Sequence, residues 1–269
     1  MNAHSGPLPG ERRALAPTVF PTARILLACL LRTWLVGAGI NTRGMQNLGL
    51  AYAMDPGLKA LYGGGERLRL ARKRYAKHYN THPFWTPLLV GIFLGMEKKI
   101  SQGILTVELY ESVRDTTIYT LSAIGDSFFG GSILVLWSLT TACLFLSGNA
   151  SAAVVLGLVC FAGLIVFKCG TFWLGFREGL NVLHRLGRWN LINWGQRFKL
   201  VNAALLVAVW VLAWPGSIVW YEWLPVAFLF GGAAALVSSS GLSREILMAG
   251  VLAVYLGLPW LKKLVGSLF

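Results

Sequence analysis

The sequence predicts an all-α fold: a polytopic helical membrane protein with N-terminal amphipathic helices and a re-entrant or broken-helix element. Three observations predict it. Of 269 residues, 55% are hydrophobic and only 13% are charged, about half the charged share of a soluble domain. The mean hydropathy is +0.60. The second half also carries several long apolar runs of the kind that span bilayers. This composition excludes an ordinary soluble enzyme and a disordered chain.

The charge balance is strongly basic, with 24 Lys and Arg against 11 Asp and Glu, for a net charge of +13. In an apolar chain, this excess is typical of the positive-inside bias of membrane proteins. We therefore expect membrane lipid as a partner and no nucleic acid. The 4 cysteines form no C-x-x-C pair, which favours packing thiols over disulfides.

The N-terminal part is predicted to lie on the membrane more than across it. Apolar residues recur at helical spacing over 24–61, with breaks at 37–39 and at the Asp55-Pro56-Gly57 turn signal. We interpret this pattern as two short amphipathic helices. The predicted regions are a flexible leader at 1–22, an amphipathic and re-entrant region at 23–115, and a transmembrane region at 116–269.

The segment 66–79, ERLRLARKRYAKHY, is the most basic stretch of the chain's first half. One interpretation is a solvated helix on the cytoplasmic side. The other is a helix held against anionic lipid headgroups, where each basic residue contributes about 1 kcal/mol. Both interpretations place the segment at the cytoplasmic surface.

A short apolar segment, 84–96, follows directly. It is shorter than the roughly 20 residues that a full span needs. Pro83 precedes it, Pro87 and Gly91 fall within it, and Glu97 follows it. Such a segment is typical of re-entrant or broken helices near transporter substrate sites. An interfacial helix fits its length equally well.

The remainder contains about five apolar segments, predicted as membrane spans. The basic connector 177–199 is placed in the cytoplasm and the uncharged turn 147–149 outside. The positive-inside bias does not fix the orientation of the last segments. The predicted spans are 127–146, 150–173, 201–220, 223–237 and 245–260.

Two charged residues lie in or beside these spans. Asp126 precedes the first span, either as a helix cap or as a functional carboxylate. Lys168 lies within the second span. Because it is near one end of the apolar run, we expect its ammonium group to reach the interface by snorkelling.

Catalytic and metal-binding patterns find little support. His78 and His82 have the i, i+4 spacing of zinc ligands, but Pro83 disfavours helical geometry there. No H-E-x-x-H, P-loop, G-x-S-x-G or G-x-G-x-x-G pattern occurs. We therefore predict no catalytic residue, no metal and no cofactor. A membrane enzyme using one of these histidines remains an alternative.

Five short strings, in order, carry a family resemblance. They are M-Q-N-L-G at 45–49, Y-N-T-H-P at 79–83, G-M-E at 95–97, S-A-I-G-D-S-F-F at 122–129 and G-F-R-E-G at 175–179. In order and spacing the chain resembles the IID membrane subunit of the mannose/fructose/sorbose family of sugar phosphotransferase systems. The resemblance covers about 33–179.

Several positions depart from the family pattern. Ile40 stands where the family has Trp, Arg43 where it has Glu, and Gly44 where it has Arg. His82 stands where Gln is usual, and Lys98 replaces a second Glu. Because Arg43 reverses a charge, the alternative is a degenerate IID-like protein with a regulatory or scaffolding role and no sugar transport.

The resemblance implies a non-phosphorylated transport subunit, not an enzyme, in a multi-pass protein of the bacterial inner membrane. It implies a hetero-oligomer in which a IIC subunit completes the permease, while cytoplasmic IIA and IIB phosphorylate the incoming hexose. Amides and carboxylates suit sugar hydroxyls, although capping and turn formation also explain them. The residues expected to line the sugar path or the IIC interface are Asn41, Gln46, Asn80, Thr81, Glu97 and Asp126, with Pro83, Gly91 and Gly125 as structural motif positions.

Overall fold

The computed structural model describes residues 21–214 and Gly232. Within this part the chain is helical apart from turns and two isolated β-bridges, so the all-α prediction is confirmed there. The predicted leader lies almost wholly outside the described residues, as do the spans 223–237 and 245–260. The α-helices are α1 (Ala23–Arg32), α2 (Asn47–Tyr62), α3 (Gly65–Tyr75), α4 (Thr86–Ser101), α5 (Val107–Gly125), α6 (Leu134–Leu146), α7 (Ala150–Glu178), α8 (Val182–Arg188) and α9 (Leu191–Ala213).

Helix α2 corrects the turn predicted at Asp55-Pro56-Gly57, because it continues through Pro56 to Tyr62. A proline inside a helix removes the N–H that would bond the carbonyl four residues earlier. Here that carbonyl belongs to Tyr52, and the Arg32 guanidinium donates to it at 3.1 Å. The same guanidinium lies 4.2 Å from the centre of the Tyr52 ring. A cation from α1 thus satisfies the acceptor that the proline leaves free.

Helix α4 forms the centre of the core, with every residue from Thr86 to Glu97 buried. The prediction of an interruption here is wrong, since the helix is continuous. Pro87 lies in its first turn, where its missing N–H has no helical partner to lose. Gly91 does not break the helix either. It allows α4 to pack closely against α7.

The contact between α4 and α7 is made backbone to backbone through glycines. A Cβ on Gly91 would lie 2.2 Å from the carbonyl oxygen of Phe172, and one on Gly175 would lie 2.6 Å from that of Leu88. Gly91 and Gly95 have the G-x-x-x-G spacing that lets apolar helices approach closely. This contact holds α4 against α7, and the polar segment that ends at Pro83 lies just before α4.

Three helical segments are long and apolar enough to cross a membrane in the described part of the chain: Val107–Leu146, Ala150–Arg188 and Leu191–Ala213. They contain the first two predicted spans and overlap the third. The first segment begins before the predicted region boundary at 115/116, which falls inside α5. Most of their apolar surface is exposed in the isolated chain, as expected for contact with lipid or a partner subunit.

Between α5 and α6 the helix widens into a π-helical stretch, Asp126–Ile133. Its Ser132 hydroxyl lies 3.1 Å from the carbonyl oxygen of Ser127 and 3.2 Å from that of Gly195 on α9. The side-chain amide of Asn202 donates to the Ser132 carbonyl at 3.0 Å. These bonds tie the π stretch to α9. Such stretches are rare and recur at functional sites.

Candidate functional site

The first two family strings meet in space as a pair of polar loops, residues 41–47 and 79–82, called the motif loops here. The Gln46 N–H donates to the Tyr79 carbonyl at 2.8 Å, and the Tyr79 N–H donates to the Gly44 carbonyl at 3.2 Å. The Thr81 N–H donates to the Gln46 side chain at 3.4 Å. Gln46 and Thr81 are therefore joined directly, although 35 residues separate them.

Asn41 organises the first motif loop through its side-chain amide. Its Oδ1 accepts the Gly44 N–H at 2.8 Å and the Arg43 N–H at 3.2 Å. Its Nδ2 lies 3.0 Å from the Met45 carbonyl and 2.9 Å from Asn47 Oδ1. Met45 adopts a positive φ of 56°, which a local hydrogen-bond network of this kind supports. The amide of Asn41 is thus engaged within its own loop.

The departures from the family pattern fit this loop without disrupting it. Arg43 is exposed. A Cβ on Gly44 would lie 2.1 Å from the Asn47 side-chain nitrogen, which donates to the Ala76 carbonyl at 2.7 Å. A side chain at position 44 would therefore displace the amide that ties the loop to the end of α3.

Glu97 lies in a second place, the buried end of α4, and its side chain is 0% exposed. Arg74 on α3 contacts both carboxylate oxygens, at 3.0 and 2.7 Å. The hydroxyl of Tyr75 donates to it at 2.8 Å and that of Tyr62 at 2.5 Å. We call these four side chains the Glu97 cluster.

The phenols of the Glu97 cluster are held neutral. Burial raises the pKa of Tyr62 and of Tyr75, and the negative charge of Glu97 raises both further. Neutral phenols donate hydrogen bonds to the carboxylate, and charge-assisted bonds of this kind are strong. The cluster therefore joins α2, α3 and α4, and Glu97 is fully engaged with protein donors.

Asp126 lies in a third place, beside the second motif loop. Gly125 makes this approach possible, because a Cβ there would lie 2.5 Å from the His82 Cβ. The His82 ring stacks on Phe129 with centroids 5.2 Å apart. Its Nδ1 accepts the Phe84 N–H at 3.3 Å. The motif loop, the start of the π stretch and the exposed carboxylate of Asp126 are thus neighbours.

Lys168 completes this third place and corrects the expectation of snorkelling. Its side chain is only 5% exposed, and its ammonium nitrogen lies 3.8 Å from the centre of the Trp34 ring and 5.6 Å from that of Phe84. Aromatic faces attract a desolvated cation. We call His82, Asp126 and Lys168, with Trp34 and Phe84, the aromatic-ionic cluster.

The charges of this cluster act on the pKa of His82. Burial lowers the pKa of the imidazole below its ordinary value; the Asp126 carboxylate opposes this shift and the Lys168 ammonium adds to it. The ring is therefore held largely neutral near pH 7. A neutral imidazole that accepts at Nδ1 carries a proton at Nε2 and can donate one hydrogen bond.

The predicted residues thus divide among three places. Asn41, Gln46 and Thr81 lie in the motif loops with the half-buried Asn80, Glu97 lies in its own cluster, and Asp126 lies in the aromatic-ionic cluster. Sequence reasoning missed Trp34, and it assigned Lys168 elsewhere although a charge within an apolar span marks a functional candidate. Among the described residues no group of three or more His, Cys, Asp or Glu side chains is placed to hold a metal ion.

Comparison with known families identifies the chain's relatives. Residues 22–214 match the family described as EIID-AGA, PTS system mannose/fructose/sorbose family IID component. This match covers every described helix and all six predicted site residues.

Individual relatives agree with the family match. The chain is 23% identical over 193 residues to the fructose permease IID component of Bacillus subtilis, covering 71% of this chain and 68% of that one. It is 26% identical over 188 residues to the sorbose-specific EIID component of Klebsiella pneumoniae, covering 70% and 66%. It is 21% identical over 184 residues to the mannose-specific EIID component of Escherichia coli, covering 68% and 63%. The matched region thus spans about two thirds of the length of these relatives.

One solved membrane-protein structure shares the fold. A structure titled as that of a membrane protein superposes with a TM-score of 0.73 at 17% identity, covering 89% of this chain and 97% of that one. A cryo-EM structure of the mannose transporter ManYZ with a microcin gives a TM-score of 0.49 at 17% identity, covering 88% and 96%. With the family match over most of its length, this chain belongs to the IID components of the mannose/fructose/sorbose phosphotransferase systems, which are membrane transport subunits and not the phosphorylating enzymes.

Proposed function

We propose that the chain forms a sugar permease with a IIC subunit in the bacterial inner membrane, and that IIA and IIB phosphorylate the hexose as it enters. The family match over residues 22–214 carries this proposal. The three relatives are named for fructose, sorbose and mannose, all of which are hexoses. The substrate class is therefore a hexose.

The aromatic-ionic cluster is the best candidate for a contact with the sugar path. Asp126 is exposed at the start of the π stretch, so its carboxylate is available to a hydroxyl group. The neutral imidazole of His82 and the ammonium of Lys168 add hydrogen-bond donors, and aromatic rings line the same place. Convergent polar groups on an aromatic wall are typical of small-ligand sites.

The other predicted residues support this contact indirectly. Asn41, Gln46 and Thr81 hold the motif loops together, and the second of these loops carries His82. Glu97 holds the helices on which the loops rest. We therefore assign these four residues a positioning role, and Asn80, which is only half-buried, a place beside the path or the IIC interface.

Hexose uptake by the reconstituted complex tests the assignment. The variant Asp126→Asn keeps the shape of the side chain but removes its charge, so we expect uptake to fall strongly while co-purification with IIC and thermal stability stay unchanged. Glu108→Gln is the matched control, since Glu108 is an exposed carboxylate near the start of α5. Uptake by Asp126→Asn at the wild-type rate would reject Asp126 as a sugar contact.

The same assay addresses the alternative of a regulatory IID-like protein. The motif loop that carries Arg43 and Gly44 is intact and internally hydrogen-bonded, which favours retained transport. A complex with IIC that moves none of the three hexoses, although its IIA and IIB are active, would support the regulatory alternative instead.

A further inference from the structure

A cavity of about 330 Å³ lies between α5 and the corner where α8 meets α9. None of the six predicted site residues lines it. Its wall on α5 is formed by residues about one turn apart, and its opposite wall by the end of α8 and the start of α9. The lining side chains that carry the argument are Trp85, Thr120, Leu121, Leu186, Gly187 and Asn190.

The chemistry of the lining fits an amphiphile better than a sugar. The lining surface is mainly apolar, with six Leu or Ile residues beside three threonines and Asn190. No lining residue is charged, so the cavity offers none of the carboxylates that suit sugar hydroxyls. Trp85 is fully buried, and its indole N–H has no acceptor among the described residues. A buried donor of this kind is costly unless it is satisfied, and an ester carbonyl next to an acyl chain would satisfy it.

Basic and aromatic residues lie next to the lining residues in sequence. Arg188 adjoins Gly187 in sequence, is exposed, and forms no ion pair with any residue that the structure describes. Its neighbour Trp189 is 36% exposed, as expected where tryptophan sits at headgroup level. The nearby Arg197 lies over the Trp194 ring at 5.0 Å. This corner is the connector that the charge bias places in the cytoplasm, where the leaflet surface is anionic.

We infer that this cavity binds an anionic phospholipid, with one acyl chain between α5 and the α8–α9 corner and the phosphate beside Arg188. The uncharged wall contacts the acyl chain, the Trp85 N–H donates to an ester carbonyl, and the guanidinium of Arg188 pairs with the phosphate. The inference does not depend on sugar transport, because the lipid is a resident of the fold and not a substrate.

Native mass spectrometry of the purified full chain, exchanged into phosphatidylglycerol or phosphatidylcholine, tests this inference. Gly187 lines the cavity and a Cβ there would meet nothing within 4 Å, so Gly187→Phe places a bulky ring at the cavity wall without a backbone clash. We expect the wild type to retain phosphatidylglycerol in preference to phosphatidylcholine. Gly187→Phe removes burial of several methylene groups and should weaken retention by roughly tenfold or more. The matched control is Gly163→Phe, at an equally open position on α7.

A second pair of variants tests recognition of the headgroup separately from binding of the acyl chain. Arg188→Gln should abolish the preference for the anionic lipid, while Arg67→Gln, which removes an exposed arginine on α3, should leave it unchanged. Equal retention by Gly187→Phe and Gly163→Phe would overturn the inference. So would displacement of the lipid by a hexose or by purified IIC, because either would make the cavity a sugar site or a subunit interface.

Discussion

Replacement of Glu97 by glutamine tests whether the Glu97 cluster holds the helices together. The variant leaves the Arg74 guanidinium, whose side chain is only 10% exposed, without a counter-charge. Breaking a buried ion pair by removing one partner costs about 3–5 kcal/mol. The hydroxyls of Tyr62 and Tyr75 also lose the charged acceptor that strengthens their bonds. We expect the free energy of unfolding to fall by about 3–5 kcal/mol.

The assay is unfolding of the purified chain in mild detergent, followed by tryptophan fluorescence. Glu66→Gln is the control, because it removes the exposed pair with Arg69, whose side chains are 62% and 68% exposed. Exposed pairs of this kind contribute little to stability because solvent screens them. The double variant Arg74→Met/Glu97→Leu should recover only part of the loss, since apolar replacement of a buried ion pair is often neutral but the Tyr62 and Tyr75 hydroxyls still lose their acceptor. A Glu97→Gln variant as stable as Glu66→Gln would refute the reasoning.

Three further predictions concern pH and packing. Because the pKa of His82 is lower in the folded chain than its ordinary value of 6.5, the unfolded chain binds more protons below that pH, so stability should fall on acidification below 6.5. His82→Gln should flatten this part of a melting-temperature profile; an unchanged profile would contradict it. Gly91→Leu would drive a side chain into the Phe172 carbonyl and should destabilise the chain by about 3 kcal/mol or prevent folding, whereas Gly163→Leu, at an open position, should melt like the wild type. Burial opposes ionisation of Asp55, but hydrogen bonds from cations on α2 and α3 lower its pKa below 3.8. The stability that this carboxylate contributes should therefore be present above that pH and lost below it. Asp55→Asn should melt earlier than the wild type at neutral pH but not in acid.

The sequence identified the family because the five strings keep their order and spacing along the chain. It also identified the chemical types of the candidate site, since amides and carboxylates beside apolar helices are visible in the residues themselves. The pairing of these residues was not visible. Gln46 and Thr81 are 35 residues apart, and hydrogen bonds between separate loops leave no periodic pattern in a sequence.

The interrupted apolar segment shows why local patterns were misleading. Pro87 and Gly91 both look like breaks, yet Pro87 occupies a first turn and Gly91 contacts the backbone of a helix about eighty residues later. Pro56 is tolerated for a similar reason, because Arg32 from another helix bonds the carbonyl that it frees. For Gly91 and Pro56 a tertiary partner, absent from the local sequence, outweighs the local propensity.

The amino-acid sequence by itself determined the environment of this protein, the helical class and the family, because hydropathy and charge distribution act on each segment separately. Only the tertiary structure decided which polar residues are engaged in packing and which remain available to a ligand. Glu97 and Asp126 are similar carboxylates in similar apolar surroundings, but four donors enclose the first and the second is exposed. That difference arises from the long-range contacts that bring α2, α3 and α4 together, and such contacts form only when the chain folds.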